Sequence, residues 1–229
     1  MQNININIGV NLIQVIKLMK SITFKNSVEI IGKLQGKYPT NTIIQERLLN
    51  FVNLTDISRK NLGTITSNFL DALELNDKNL QSDFTIIHSW KNLLYKHEPP
   101  ARLNSNWHFD YPYFPLHYPY YVDDFPCNEQ IIYIVSDNID NSTSNTQFYK
   151  KDITIHNLPT CPTWFDIDHN MNEQLDPSEI YKCRDGEIVK YDNKTLHRAT
   201  RSVGYGWRMV IKVCSFDKDV YENIKKILG

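Results

Sequence analysis

The 229-residue sequence predicts a mainly β protein: an antiparallel sandwich or small barrel entered through a helical N-terminal region. Three observations predict it. Apolar residues recur at three- and four-residue spacing through much of residues 1–100. Pro99-Pro100 ends that pattern, because proline lacks a backbone donor and cannot continue a helix. From about residue 104 onward, short apolar runs alternate with turn residues.

In chain order, helical periodicity covers 9–20, 43–53, 64–74 and 84–96. Within the third, Ile65, Phe69, Leu70 and Leu73 form one stripe. Candidate strands follow at 105–110, 130–136, 145–150, 152–157, 186–191, 194–199 and 206–214. Between two of them, Asp176-Pro177-Ser178-Glu179 is a short helix start, with a capping Asp, a first-turn Pro and a Glu at the third position. Residues 217–228 read as a closing helix. The expectation is one domain over 1–229: a mostly helical region to residue 100 and a β core over 101–229.

Composition narrows the function. Hydrophobic residues are 41% and charged residues 22%, so the chain can bury a core. Twenty-five basic residues against 26 acidic ones give a net charge of -1, which supplies no global attraction to nucleic acid or an anionic membrane. Mean hydropathy is -0.44. No uninterrupted apolar run reaches the roughly 18 residues of a membrane span. Cys127, Cys161, Cys183 and Cys214 have no metal-ligand spacing and are few for a disulfide framework, so free thiols are expected. The first twenty residues have no basic start and no small-residue cleavage site. A cytoplasmic location is the expectation.

Chemistry concentrates at Asn106-Trp107-His108-Phe109-Asp110. On a strand, His108 and Asp110 share one face while Trp107 and Phe109 face the other, where helices can cover them. One more imidazole from a neighbouring strand completes a two-His-one-carboxylate triad, which leaves open positions on one side of Fe(II). His197, 87 residues after Asp110, is the natural third ligand. Arg208, eleven residues further on, opens a strongly apolar strand and can grip a carboxylate with two parallel hydrogen bonds.

This ordered set resembles the Fe(II)/2-oxoglutarate-dependent oxygenases. The run from Asp185-Gly186-Glu187 through Tyr191 to His197 is similar to the turn and strand that lead to that family's distal histidine, and Gly204-Tyr205-Gly206-Trp207-Arg208 to the glycine-then-arginine that closes its motif. Thr146-Gln147-Phe148-Tyr149 resembles the strand after the proximal ligands. The resemblance covers about residues 104–215. It implies a double-stranded β-helix, a jelly-roll, cupin-like core with helices on one sheet. It implies His108, Asp110 and His197 as iron ligands and Arg208 as the partner of the distal carboxylate of 2-oxoglutarate. Fe(II), 2-oxoglutarate and O2 are then the expected cofactor and cosubstrates, and hydroxylation of a C–H bond with release of succinate and CO2 the expected reaction.

Within the superfamily, Asn141-Ser142-Thr143-Ser144-Asn145 replaces the Gly-Gly-x-Thr pattern of prolyl-hydroxylase relatives, and the arginine spacing is one residue longer than theirs. The phytanoyl-CoA-hydroxylase-like branch tolerates both. Asp110 stands where halogenating relatives carry a small residue. Cys214 stands where nucleic-acid demethylases carry a second arginine. Arg208 also makes the different-strand lysine of the jumonji branch unnecessary.

Other features carry less. Tyr111 to Tyr121, rich in aromatics and proline, reads equally as a lid over the site and as a packed loop. Asp166-Ile167-Asp168-His169-Asn170 imitates a calcium loop, but Met171 and Pro177 occupy the positions needing Gly and Glu. Arg201 is the nearest competitor of Arg208, and Arg198 reads as surface. The expected substrate is a small molecule or an amino-acid side chain, with no nucleic-acid or membrane partner; the oligomeric state stays open. The alternatives are a non-enzymatic jelly-roll binding protein and a cupin-like metalloenzyme that does not use 2-oxoglutarate.

Overall fold

The computed structural model describes residues 19–76, 84–98, 106–110, 129–137, 146–159 and 162–222. The first half contributes β1 (Met19–Phe24), β2 (Val28–Lys33), β3 (Lys37–Tyr38), α1 (Thr40–Gln45), β4 (Val52–Asn53), α2 (Thr64–Asn76) and β5 (Thr85–Leu94). The second contributes β6 (Glu129–Asp137), β7 (Thr146–Tyr149), β8 (Ile153–Pro159), α3 (Trp164–Gln174), β9 (Ile180–Lys182), β10 (Glu187–Asp192), β11 (His197–Ala199) and β12 (Gly206–Ser215).

The larger sheet runs β2-β10-β6-β12-β5-β4, with β3 added in parallel to β6. The smaller runs β11-β7-β9, and His108 bridges to β11 at its edge. Along the chain, β5, β6, β10 and β12 belong to the first sheet. The His108 segment, β7, β9 and β11 belong to the second. That alternation between two antiparallel layers is a double-stranded β-helix, the expected fold class. Between β7 and β9 the chain makes an excursion through β8, which pairs with β1, and α3.

Alternation of side chains sorts the apolar residues into three layers. Ile132 and Ile134 of β6 and Val210 of β12 point inward, against Phe148 of β7. Ile131, Tyr133 and Val135, with Met209, Ile211 and Val213, point outward and are covered by Ile43 of α1 and Ile65, Phe69 and Leu70 of α2. Phe69 stacks on Tyr133 with ring centroids 5.2 Å apart; burying such a ring contributes about 1.5–3 kcal/mol. On the opposite side, Trp107 and Phe109 pack with Ile167 and Met171 of α3 and with Ile22 and Phe24 of β1.

Several local expectations change. The helix expected over 84–96 is the strand β5. It lies between β12 and β4 and is largely covered on both faces, so its sequence lacks a two-residue period. Residues 1–100 are therefore not mostly helical within the described part, because β1 to β5 lie there and β5 completes the larger sheet. The helix expected over 43–53 is only Thr40–Gln45, after which the chain extends into β4. Glu46 ends it in an extended conformation, and its carboxylate instead accepts from Ile65 N and Thr66 N at the start of α2. Of the strand expected over 105–110, His108 alone among the described residues makes a bridge. The helix over 9–20 lies outside the described residues except Met19–Lys20, which open β1.

The helix 64–74 and the other strands stand where expected, with small shifts at the ends, except that of 194–199 only His197–Ala199 is strand, the residues before it turning out of β10. Pro177–Glu179 is a single 3-10 turn capped by Asp176, whose side chain accepts from Ser178 N. The calcium-loop imitation is helical and lies in α3, behind a capping box of Thr163 and Asp166. The closing helix covers 218–222 among the described residues.

Candidate metal centre and its cavity

His108 and His197 are a directly opposed antiparallel pair. His108 N donates to His197 O at 2.9 Å, and His197 N donates to His108 O at 2.8 Å. Opposed residues project to the same side of a sheet, so both imidazoles enter the barrel, with ring centroids 4.4 Å apart. Each ring is also fixed by a main-chain carbonyl. Nδ1 of His108 lies 2.6 Å from Asn106 O, and Nδ1 of His197 lies 2.9 Å from Thr195 O. A ring that donates through Nδ1 leaves Nε2 as a lone pair, the form a metal needs.

Asp110 comes to the same place. His197 Nε2 lies 3.4 Å from its Oδ2, and one donor atom from each of His108, Asp110 and His197 falls within 4.8 Å of the others. Tyr191 of β10 donates to Oδ2 at 3.2 Å and Lys212 of β12 at 2.6 Å. Burial opposes ionisation of Asp110, but Lys212 and then His197 outweigh it and hold the carboxyl well below 3.8. Burial, followed by the neighbouring His197 ring, pushes His108 down to about 4. At neutral pH the centre therefore offers a carboxylate and an uncharged His108 ring.

These side chains line one cavity of about 130 Å³, together with Arg208, Thr146, Asn92 and Trp90. Arg208 is 4% exposed, and its Nη2 donates to Thr146 Oγ1 at 2.8 Å. Its buried Nε has no partner, and no carboxylate lies within ion-pair distance among the described residues. Burial lowers its pKa to about 10, with Asp185 acting in the opposite direction, so it stays charged. A buried cation with no carboxylate in ion-pair contact is costly, and the cavity that Arg208 lines has room for an anion.

No protein-family model matches the chain, and no curated protein matches it. Two crystal structures of EvdO2 from Micromonospora carbonacea var. aurantiaca, one complexed with 2-oxoglutarate, are similar to it at 16% identity, with TM-scores of 0.39 and 0.37. The matches cover 65% and 64% of this chain and 60% and 59% of those chains.

All four site residues picked out in the sequence thus meet in one cavity. The competing arginines do not. Arg201 is exposed. Arg198, read from sequence as surface, is half-buried, donates to Gln147 and lies 4.5 Å from the centroid of the Trp107 ring on the far side of the smaller sheet. The segment 111–121 lies outside the described residues. Sequence reasoning missed Lys212 and Tyr191. Lys212 was findable: alternation from Arg208 puts residues 208, 210 and 212 on one face, and it is the one charge in Met209–Cys214. Tyr191 gave no signal beyond belonging to a strand. Among the described residues, no helix is long and apolar enough to cross a membrane.

Proposed function

We propose that this protein is an Fe(II)- and 2-oxoglutarate-dependent oxygenase that hydroxylates a C–H bond of a small molecule or an amino-acid side chain. The donor set fits the metal: two imidazoles whose Nδ1 atoms face main-chain carbonyls, and one ionised carboxylate, are the ligands that suit Fe(II) with positions left open. The observation that carries the cosubstrate is the Arg208 guanidinium, buried in the same cavity with an unpartnered Nε.

Each side chain has a task. His108, Asp110 and His197 would hold the metal, and the carbonyls of Asn106 and Thr195 orient the two rings. Arg208, steadied by Thr146, would take the distal carboxylate of 2-oxoglutarate. Ile132 lines the cavity and belongs to one apolar cluster with Phe148, whose ring centroid lies 5.6 Å from that of His197. When bound, the iron supplies the redox chemistry that couples O2 and 2-oxoglutarate, released as succinate and CO2, to oxidation of the substrate.

The arginine spacing favours the phytanoyl-CoA-hydroxylase-like branch over the prolyl-hydroxylase-like one. Cys183 and Cys214 are buried and form no disulfide among the described residues, which suits a reducing compartment such as the cytoplasm.

An anaerobic Fe(II) titration in the presence of 2-oxoglutarate, followed by visible absorption, tests the proposal. The expected result is a weak charge-transfer band that is lost in His108→Ala and needs more 2-oxoglutarate in Arg208→Ala. Metal binding without the band would point to a cupin-like metalloenzyme that does not use 2-oxoglutarate. Absence of metal binding would point to a jelly-roll binding protein.

A further inference from the structure

The cavity holds a second buried cation that the proposed chemistry leaves unused. Lys212 follows Arg208 by four residues on β12 and so shares its inward face. It is 8% exposed. Its ammonium makes one hydrogen bond among the described residues, to Asp110 Oδ2 at 2.6 Å. That acceptor is also the oxygen 3.4 Å from His197 Nε2. The ammonium therefore holds the carboxylate oxygen that faces the second imidazole of the cluster.

Charge makes this contact more than packing. Asp110 is the one carboxylate of the cluster, and a single lysine already neutralises it. A divalent ion on the same carboxylate meets a buried ammonium of like sign, in surroundings where repulsion is poorly screened. Only one partner can move cheaply. Asp110 is held by Tyr191 as well as by Lys212, and both imidazoles are fixed by carbonyls. Lys212 has a flexible four-carbon stem and two unused N–H donors, which can find water or an anion elsewhere in the cavity.

We propose that Lys212 is a displaceable counter-ion of Asp110. The ammonium and a divalent metal compete for the carboxylate, and metal loading drives Lys212 off it. The inference rests on the metal-site reading above. It makes Lys212 a positioning residue whose pairing balances the charge of Asp110 in the metal-free protein and sets how tightly metal is held.

Co(II) serves as the probe, read by its visible absorption at the site and by the rise in Tm that it causes. Wild type is compared with Lys212→Met, Lys212→Gln and Lys212→Arg, with His108→Ala as the baseline. Lys212→Met should bind Co(II) roughly tenfold more tightly or better, because the competing charge is gone. Its metal-free form should melt below wild type, since Asp110 is left unpaired, and should gain more in Tm on adding Co(II). Lys212→Gln should behave alike, which covers the case where Lys212→Met does not fold. Lys212→Arg keeps the charge and should bind no more tightly than wild type. His108-dependent Co(II) binding that is equal or weaker in Lys212→Met and Lys212→Gln would overturn the inference alone. Co(II) binding in none of the proteins, or binding indifferent to His108→Ala, would overturn the metal-site reading and this inference with it.

Discussion

His108 and His197 hydrogen-bond each other's main chain in both directions, at 2.9 and 2.8 Å. The two residues are far apart in sequence, yet this pairing makes them direct neighbours on the inner face of the smaller sheet. Their rings are further locked by the carbonyls of Asn106 and Thr195, so the nitrogen pair is formed before any metal arrives.

Replacing any one of His108, Asp110 or His197 by Ala should lower divalent-metal affinity by about 100-fold or more, with the far-ultraviolet circular dichroism spectrum unchanged. The main-chain pairing of 108 with 197 survives the loss of either imidazole. Retained Co(II) affinity in any of the three would remove that residue from the ligand set.

Arg208→Met should separate binding from stability. Loss of the guanidinium should weaken 2-oxoglutarate binding by about 100-fold, measured by titrating the charge-transfer band. The same change deletes a buried cation with an unpartnered Nε, so the metal-free protein should be equally stable or gain about 1–3 kcal/mol in urea unfolding. An arginine with a purely structural role would show the reverse: lost stability and unchanged 2-oxoglutarate affinity.

Acid should destabilise the metal-free protein between about pH 7 and pH 5. His108 has a pKa of about 4 when folded, against 6.5 in the unfolded chain, so the unfolded state binds more protons between those values. Stability therefore falls as pH drops through that window, by about 2 kcal/mol between about pH 7 and pH 5. Asp110, held well below 3.8, contributes stability that is lost only at lower pH. Urea unfolding at the two pH values should show a smaller loss in His108→Asn, whose amide can still donate to Asn106 O. An equal loss in both proteins would mean that another group carries the acid sensitivity.

Glu46 is 5% exposed and accepts from Ile65 N at 3.1 Å and Thr66 N at 2.9 Å. Glu46→Ala strands both donors at the start of α2 and should cost about 2–3 kcal/mol in urea unfolding, while Glu46→Gln keeps an acceptor and should cost less. Because α2 packs on the outer face of the larger sheet, Co(II) affinity should not change. A change there would show that the helix layer and the cavity are energetically coupled.

How much was legible depended on whether the signal was local. The strand Gly206–Ser215 and its Arg208 stood out because a charge opens an apolar run. His108 and Asp110 stood out through two-residue spacing, although the segment is a single bridge and not a strand. β5 was illegible as a strand: Ile86, Ile87, Ser89 and Leu94 are all buried, on both faces, and a continuous run has no period that separates strand from helix. The end of α1 was hidden for another reason. Glu46 is a good helix former locally, but its carboxylate is engaged by a helix that starts some twenty residues later.

The donor types, their order along the chain, the turn residues between strands and the absence of a strong net charge are written in the residues themselves. Those are properties of single residues and short windows. Which residues stand opposite one another follows from the packed fold alone. It set His197 against His108, laid Lys212 on Asp110, and left the Nε of Arg208 unpartnered. The physical reason is that strand register is a long-range pairing, chosen by which faces can be buried together. A one-residue slip would carry every inward side chain out of the barrel, so the position of each charge in the cavity is a consequence of the packed sheets.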